Sequence, residues 1–160
     1  MSDKFEDSLK NGNHLILNRL QGNWKGISRV WFEPGKLADE SEIRGMIKPV
    51  LGGRFLLHEY ETMLENSHVE GISIFGYDIN QNRFQCAWID SFHNGTSIMI
   101  SENNQPISPF SVLGHYGPDP QWGWRTILDH STKDTLIITM NNIAPGGMDE
   151  KAVEIIYKRI

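Results

Sequence analysis

Six histidines, one cysteine and a few carboxylates beside aromatic residues are the groups with which this 160-residue chain could do chemistry. His14, His58, His68, His93, His115 and His130 show neither the His-x-His nor the His-Glu-x-x-His spacing that sets two imidazoles on one metal, so no metal is expected. A metal site would need convergence from separate strands, as of His58, His93 and His115, since neighbouring strands run about 4.8 Å apart. Cys86 lies between Phe84 and Trp88 in alternation, an apolar setting that raises a thiol pKa, and reads as a core thiol. No Gly-x-Ser-x-Gly elbow or glycine-rich phosphate loop occurs, which removes the usual grounds for a hydrolase or a nucleotide-binding protein. Asp90 and Arg125 form the most promising polar pair. Asp90 follows Trp88 on an apolar face, and Arg125 is flanked by Trp122 and Trp124. If both turn inward, they pair with each other or receive a carboxylate-bearing ligand, bidentate at Arg125. Tyr60, Trp88, His115, Tyr116 and Trp124 complete the expected ligand-binding set, and no catalytic residue is assigned.

These side chains need a scaffold, and the periodicity supplies one. Helical spacing is convincing only within residues 3–20, where Leu9, His14, Leu17 and Leu20 recur at three- to five-residue intervals; the reading is a short helix over 14–20, with Asn13 able to cap the segment from Leu15. The Asn11-Gly12-Asn13 break argues against extending it backwards. From Gly22 onward, runs rich in Ile, Val, Trp, Tyr, Phe and Thr alternate with turn residues. Strands are expected over 23–33, 42–48, 54–64, 69–77, 83–91, 96–102, 109–115, 123–130, 135–142 and 152–159. The breaks, such as Glu33-Pro34-Gly35-Lys36, Asn103-Asn104-Gln105 and Ala144-Pro145-Gly146-Gly147, are short enough for hairpins. Sequential hairpins favour an all-β, antiparallel up-and-down meander, and closing it into a barrel of about ten strands removes the sticky edges. Such a barrel is too wide for side chains alone to fill, so a ligand cavity is expected inside.

Alternation also assigns faces. Val153, Ile155, Tyr157 and Arg159 share one side of the last strand, opposite Ala152, Glu154, Ile156 and Lys158. The first side is the interior one. A guanidinium in register with three interior apolar residues requires an aromatic plane or a carboxylate to receive it. Phe84, Cys86, Trp88 and Asp90 likewise share a face, as do Leu56, His58 and Tyr60, and Trp124, Thr126 and Leu128.

Composition narrows the classes. Lys plus Arg is 15 against 20 Asp plus Glu, a net charge of −5 without the basic excess of a nucleic-acid binder. The mean hydropathy is −0.40 and no apolar run approaches the roughly 20 residues of a membrane span, so neither nucleic acid nor membrane is an expected partner. The N-terminus lacks the apolar core of a signal peptide, and a lone cysteine fits a reducing compartment, so a cytoplasmic location is expected. Length favours one domain over 1–160, with helix 14–20 and barrel 22–160.

A known pattern meets these residues. Gly22-x-Trp24 on the first strand, preceded by a short helix, resembles the start of lipocalin-like (calycin) barrels. His14-x-x-Leu17-x-x-Leu20-x-Gly22-x-Trp24, Pro34-Gly35, Gly52-Gly53-Arg54-Phe55, Gly76-Tyr77-Asp78, Trp88-Ile89-Asp90-Ser91 and the closing Glu154-Ile155-Ile156-Tyr157-Lys158-Arg159 resemble the bacterial domain-of-unknown-function family 1579 over about residues 14–160. The resemblance implies a calycin barrel in which the first-strand Trp24 packs beneath Arg159 of the final strand, a structural pair. It supplies no activity, although calycin barrels typically bind small hydrophobic molecules. The related nitrobindins share the start matched by Gly22-Asn23-Trp24-Lys25-Gly26 and bind haem through a late-strand histidine. Residues 151–160 contain no histidine, and His115 and His130 sit in no matching motif, so haem is disfavoured and no cofactor is expected. The function expected is noncovalent binding of a small hydrophobic or amphipathic molecule. Its rivals are an isomerase- or cyclase-type barrel enzyme using an interior Asp or His, and a filled barrel that binds a protein or forms a homodimer through an exposed sheet face.

Overall fold

Strands form where alternation and turn spacing place them. The structure, a computed structural model, describes residues 2–103 and 110–160. The strands are β1 (Gly22–Glu33), β2 (Lys36–Val50), β3 (Phe55–Leu64), β4 (Ser67–Asp78), β5 (Arg83–Asp90), β6 (Met99–Glu102), β7 (Phe110–Tyr116), β8 (Trp122–Thr132), β9 (Thr135–Ile143) and β10 (Asp149–Arg159). Each pairs antiparallel with its neighbour in sequence, and β10 returns to β1 with Trp24 opposite Arg159, closing the barrel. Of the expected turn at Asn103-Asn104-Gln105, the last two residues lie outside the described residues, as does Pro109 of the strand expected over 109–115. One hairpin that the turn signals did not mark is the two-residue Glu65-Asn66 connection. Both residues adopt positive φ, 46° and 66°, as a turn matched to the strand twist requires.

Two helices cover one end rather than the single helix expected over 14–20. α1 (Ser2–Asn11) and α2 (Asn13–Asn18) meet at Gly12, whose extended φ of −118° makes the bend. Asn13 does not cap α2. Ser8 Oγ accepts the His14 N–H at 3.2 Å and bonds His14 Nδ1 at 2.8 Å, doing from the preceding helix what a cap would do. The Asn11-Gly12-Asn13 break is thus a bend between two helices rather than the start of the first one, and tertiary contacts fix α1. The Arg54 guanidinium stands 4.4 Å from the Phe5 ring centroid, and Phe5 meets the His14 ring edge-on.

Leu17 and Leu20 enter the barrel beneath these helices, where Trp24 is fully buried. Trp24 Nε1 donates to Leu20 O at 3.0 Å, and Arg159 Cζ lies 4.3 Å from the Trp24 ring centroid. The same guanidinium donates to the carbonyls of Arg19, Gln21 and Lys133.

Beyond this end the barrel is filled, and the expectation of a roomy interior is corrected. Trp24, Tyr157, Phe75, Phe84, Phe110, Trp88 and Trp124 all point inward, and the space left among Ser28, Ile43, Tyr60 and Ile155 is about 30 Å³, room for a single water. Two strand glycines make room for this packing. A Cβ at Gly45 would lie 2.2 Å from the Tyr157 hydroxyl, and one at Gly71 would lie 2.2 Å from Tyr60 Cζ. Large aromatic rings against bare backbone thus occupy the width that ten strands create.

Candidate functional site

At the end opposite the helices the barrel opens into a cavity of about 630 Å³. Its wall includes a pair of stacked indoles, Trp88 of β5 and Trp124 of β8, with centroids 5.4 Å apart and planes 15° from parallel. Each arrives there as one of an alternating inward set. Tyr116 stands edge-on to Trp124 and its hydroxyl donates to Asn142 Oδ1 at 2.6 Å. Partial burial raises the pKa of that hydroxyl. Trp31 and Phe32 of β1 and His115 of β7 complete the aromatic lining.

The connection after β5 crosses this mouth and is anchored by Asp90, whose side chain is only 2% exposed. Its Oδ1 accepts the backbone N–H groups of Phe92, His93 and Asn94, and its Oδ2 accepts His93 Nδ1–H at 2.7 Å. A short acidic side chain can gather the amides that follow it in this way, and the charged acceptor strengthens each bond. Because a carboxylate oxygen can only accept, Nδ1 carries a proton, and in the neutral imidazole Nε2 is then the acceptor. The His93 ring lies 5.6 Å from the Trp88 ring and 5.8 Å from the Trp124 ring, while Phe92 stacks on Phe32 at 5.9 Å.

Among the described residues, two polar atoms at this mouth are buried without a hydrogen-bond partner, Trp124 Nε1 and Asn94 Oδ1. Trp124 is 6% exposed, and Asn94 is oriented by its Nδ2, which donates to Trp88 O at 3.0 Å. Leaving such a donor or acceptor unmade costs about 1–3 kcal/mol each, a cost that Trp88 beside it and Trp24 at the other end avoid. Trp88 Nε1 donates to Tyr60 Oη at 2.8 Å, and Trp24 Nε1 to Leu20 O.

The structure therefore gathers Trp88, Tyr116, Trp124 and His115 at the cavity, with Tyr60 one layer below and Asp90 beneath the crossing loop. Arg125 does not join them. With Trp124 inward, alternation sends Arg125 to the outer face, where Nε pairs with Asp149 Oδ2 at 2.8 Å. The conditional Asp90–Arg125 pairing is corrected accordingly: Asp90 holds His93. Sequence reasoning missed His93 and Asn94 as wall residues. The signal was present, since Asp90 precedes three amides and a histidine at the spacing of a side-chain-capped turn.

Other groups considered for chemistry lie elsewhere. His58 is buried at the barrel centre, bonded to the Tyr157 hydroxyl at 2.9 Å, and burial pushes its pKa down to about 3. Burial pushes the Cys86 thiol up to about 12, so it presents no thiolate near neutrality. Among the described residues no three His, Cys, Asp or Glu side chains gather as metal ligands, so His58, His93 and His115 do not converge. A second concavity, about 890 Å³, is an open saddle on the outer wall of β2–β5 beside Arg44, Met46, Glu59 and Ile72. It has no comparable aromatic wall, and the mouth is the candidate site.

A family model described as "Protein of unknown function (DUF1579)" matches residues 10–159. No curated protein matches the sequence. Among solved structures, an S-type phycobiliprotein lyase from Guillardia theta is similar at 11% identity and a TM-score of 0.52, covering 91% of this chain and 91% of that one. A de novo designed fluorescence-activating β-barrel is similar at 12% identity and a TM-score of 0.43, over 89% of this chain and 94% of that one. The first likeness identifies the closed barrel as lipocalin-like.

Proposed function

We propose that this chain, which belongs to the DUF1579 family by the match over residues 10–159, binds a small hydrophobic or amphipathic molecule noncovalently in the mouth of its barrel. The observation that carries the reading is the cavity itself, about 630 Å³ walled by Trp88, Trp124, Tyr116 and Phe32, in a barrel otherwise filled with side chains. An apolar body laid against these rings leaves water at about 25 cal/mol per Å², and a few polar groups fix its orientation. The phycobiliprotein lyase supports the fold of this reading and contributes no residue to it.

The test is native mass spectrometry of protein purified from its own host, followed by titration with N-phenyl-1-naphthylamine, an apolar fluorophore. A retained small molecule, or fluorophore binding that weakens about tenfold in Trp88→Ala and severalfold in the rim variant Phe32→Ala, supports the reading. A bare mass together with no fluorophore binding overturns it.

A second reading rests on the outer wall. Ile72 of β4 is opposite Ile89 of β5, and Ile74 of β4 and Ile100 of β6 flank Ala87 in register, with all four isoleucines 41–62% exposed. Contiguous exposed apolar surface of this kind marks contacts between proteins, and self-association through it makes a homodimer. Sedimentation of wild type and Ile74→Lys distinguishes the two, because a monomer throughout leaves only the mouth.

A further inference from the structure

Building on the reading of the mouth as a binding site, we infer that it selects ligands by a planar edge that carries a hydrogen-bond donor beside an acceptor, as a lactam or other cis amide does. The wall offers a complementary set. Trp124 Nε1–H is a donor with no partner, shielded from water on a residue that is 94% buried by its 6% exposure. Asn94 Oδ1 is a shielded acceptor with no partner, and its identity is fixed because Nδ2 donates to Trp88 O. In its neutral form His93 supplies a second acceptor at Nε2. Asp90 holds the proton on Nδ1, and no group among the described residues bonds Nε2.

These three residues are neighbours in space. The His93 ring is 5.8 Å from Trp124 and 5.6 Å from Trp88, and Asn94 is tied to the Trp88 carbonyl. All three residues line the cavity beside the stacked indole pair. An apolar molecule satisfies none of them. An anion meets Asn94 Oδ1 and the lone pair of His93 Nε2, both acceptors, with only one donor in return. A lactam edge gives its N–H to His93 or Asn94 and takes the Trp124 N–H on its carbonyl, while its ring lies flat against tryptophan. Access runs past residues 95–98. Ser97 and Ile98 line the cavity, and this exposed stretch is held from within the loop by Ser97 N–H donating to Asn94 O. The segment before it, Asp90 to Asn94, is fixed by the carboxylate bonds described above, so the reading groups stay in place while the outer stretch yields.

A matched set of planar probes tests this on the full chain: 2-quinolone, a lactam; N-methyl-2-quinolone, with its donor blocked; and naphthalene, with neither group. Binding is followed by the indole N–H resonances in nitrogen–proton correlation spectra, with the Trp124 signal identified by its loss in Trp124→Phe. The expected result is that 2-quinolone moves the Trp124 signal and binds about tenfold more tightly than its N-methyl analogue, the weight of one hydrogen bond. Trp124→Phe removes about tenfold of the 2-quinolone affinity and leaves naphthalene within about twofold, while His93→Phe erases the penalty for N-methylation. Equal affinities for the two quinolones, or a Trp124 signal that 2-quinolone leaves unmoved, overturns the inference. If naphthalene then still competes with N-phenyl-1-naphthylamine, the binding mouth stands and only its polar selectivity falls. If no probe binds, both fall.

Discussion

At the helix-covered end, Trp24 is sealed on every side: its N–H meets Leu20 O, its face carries the Arg159 guanidinium, and that guanidinium is itself spent on three backbone carbonyls. At the mouth, Trp124 has an equally buried ring but an N–H that meets nothing, beside a cavity and a second orphan on Asn94. One end is saturated internally and the other is left incomplete. The difference teaches how a filled barrel divides its work. Complete pairing makes the closed end a clamp on the first and last strands, and incomplete pairing leaves the mouth with chemistry to offer a ligand.

Substitutions can break this division. Trp24→Ala is expected to cost about 3–5 kcal/mol, as for a large core side chain, whereas Tyr116→Ala at the mouth should cost about 1 kcal/mol or less. Thermal melting compares them, and equal losses would erase the contrast.

Acid sharpens the contrast next, because the groups that resist protonation belong to the interior and the closed end. Burial holds His58 at about 3 in the folded protein against the ordinary 6.5 of a histidine, and burial lowers His14 as well. Below about pH 6.5 the unfolded chain therefore takes up protons that the folded chain refuses. Stability is full above that pH and falls as the pH drops toward 3, by about 2–3 kcal/mol from His58 between pH 7 and 4.5. Glu154, whose pKa is lowered first by its Lys151 hydrogen bond, adds a loss of the same direction at still lower pH. Urea midpoints at pH 7, 5.5 and 4.5 measure the slope, and His58→Gln should flatten it even though the variant is less stable.

Arg159→Ala should cost about 1–3 kcal/mol, from the cation–π contact and the carbonyls left unpaired, with Arg159→Lys recovering only part because a single ammonium lacks the planar guanidinium that stacks on the ring and spreads its donors to separate carbonyls. The smallest and most pointed effect comes from one substitution made at both ends. Trp24→Phe orphans Leu20 O, while Trp124→Phe removes an N–H that already lacks a partner, so the first should be less stable by about 1–2 kcal/mol more than the second. Chemical denaturation at neutral pH reads the difference, and a reversed order would break the comparison.

Much of the fold is legible because alternation is a local signal. Tyr157 and Val153 face inward with Ile155, and Phe84, Cys86, Trp88 and Asp90 do so together, as a period of two demands. Ala152 departs from it by being buried as well, since a bulge between Lys151 and Val153 adds a residue to that strand. α1 lies ahead of the Asn11-Gly12-Asn13 break, which reads locally as a stop although Leu9 belongs to the helical spacing. Of the candidate site, the aromatic wall was readable and its polar part was not. Arg125 looked inward by its aromatic flanks, yet its own position between Trp124 and Thr126 turned it to Asp149.

Local sequence specifies about ten strands, the side chains that share a face in them and a closed antiparallel barrel, because side-chain period and turn chemistry act over a few residues. Only the tertiary structure decided that the interior is filled, that the free volume lies at the mouth, and that Trp124 and Asn94 are the residues without partners there. Volume and hydrogen-bond saturation are sums over neighbours that the chain brings together from far apart. Tyr60 reaches Trp88 across 28 positions and Arg159 reaches Gln21 across 138, and no local spacing encodes which of those sums comes out short.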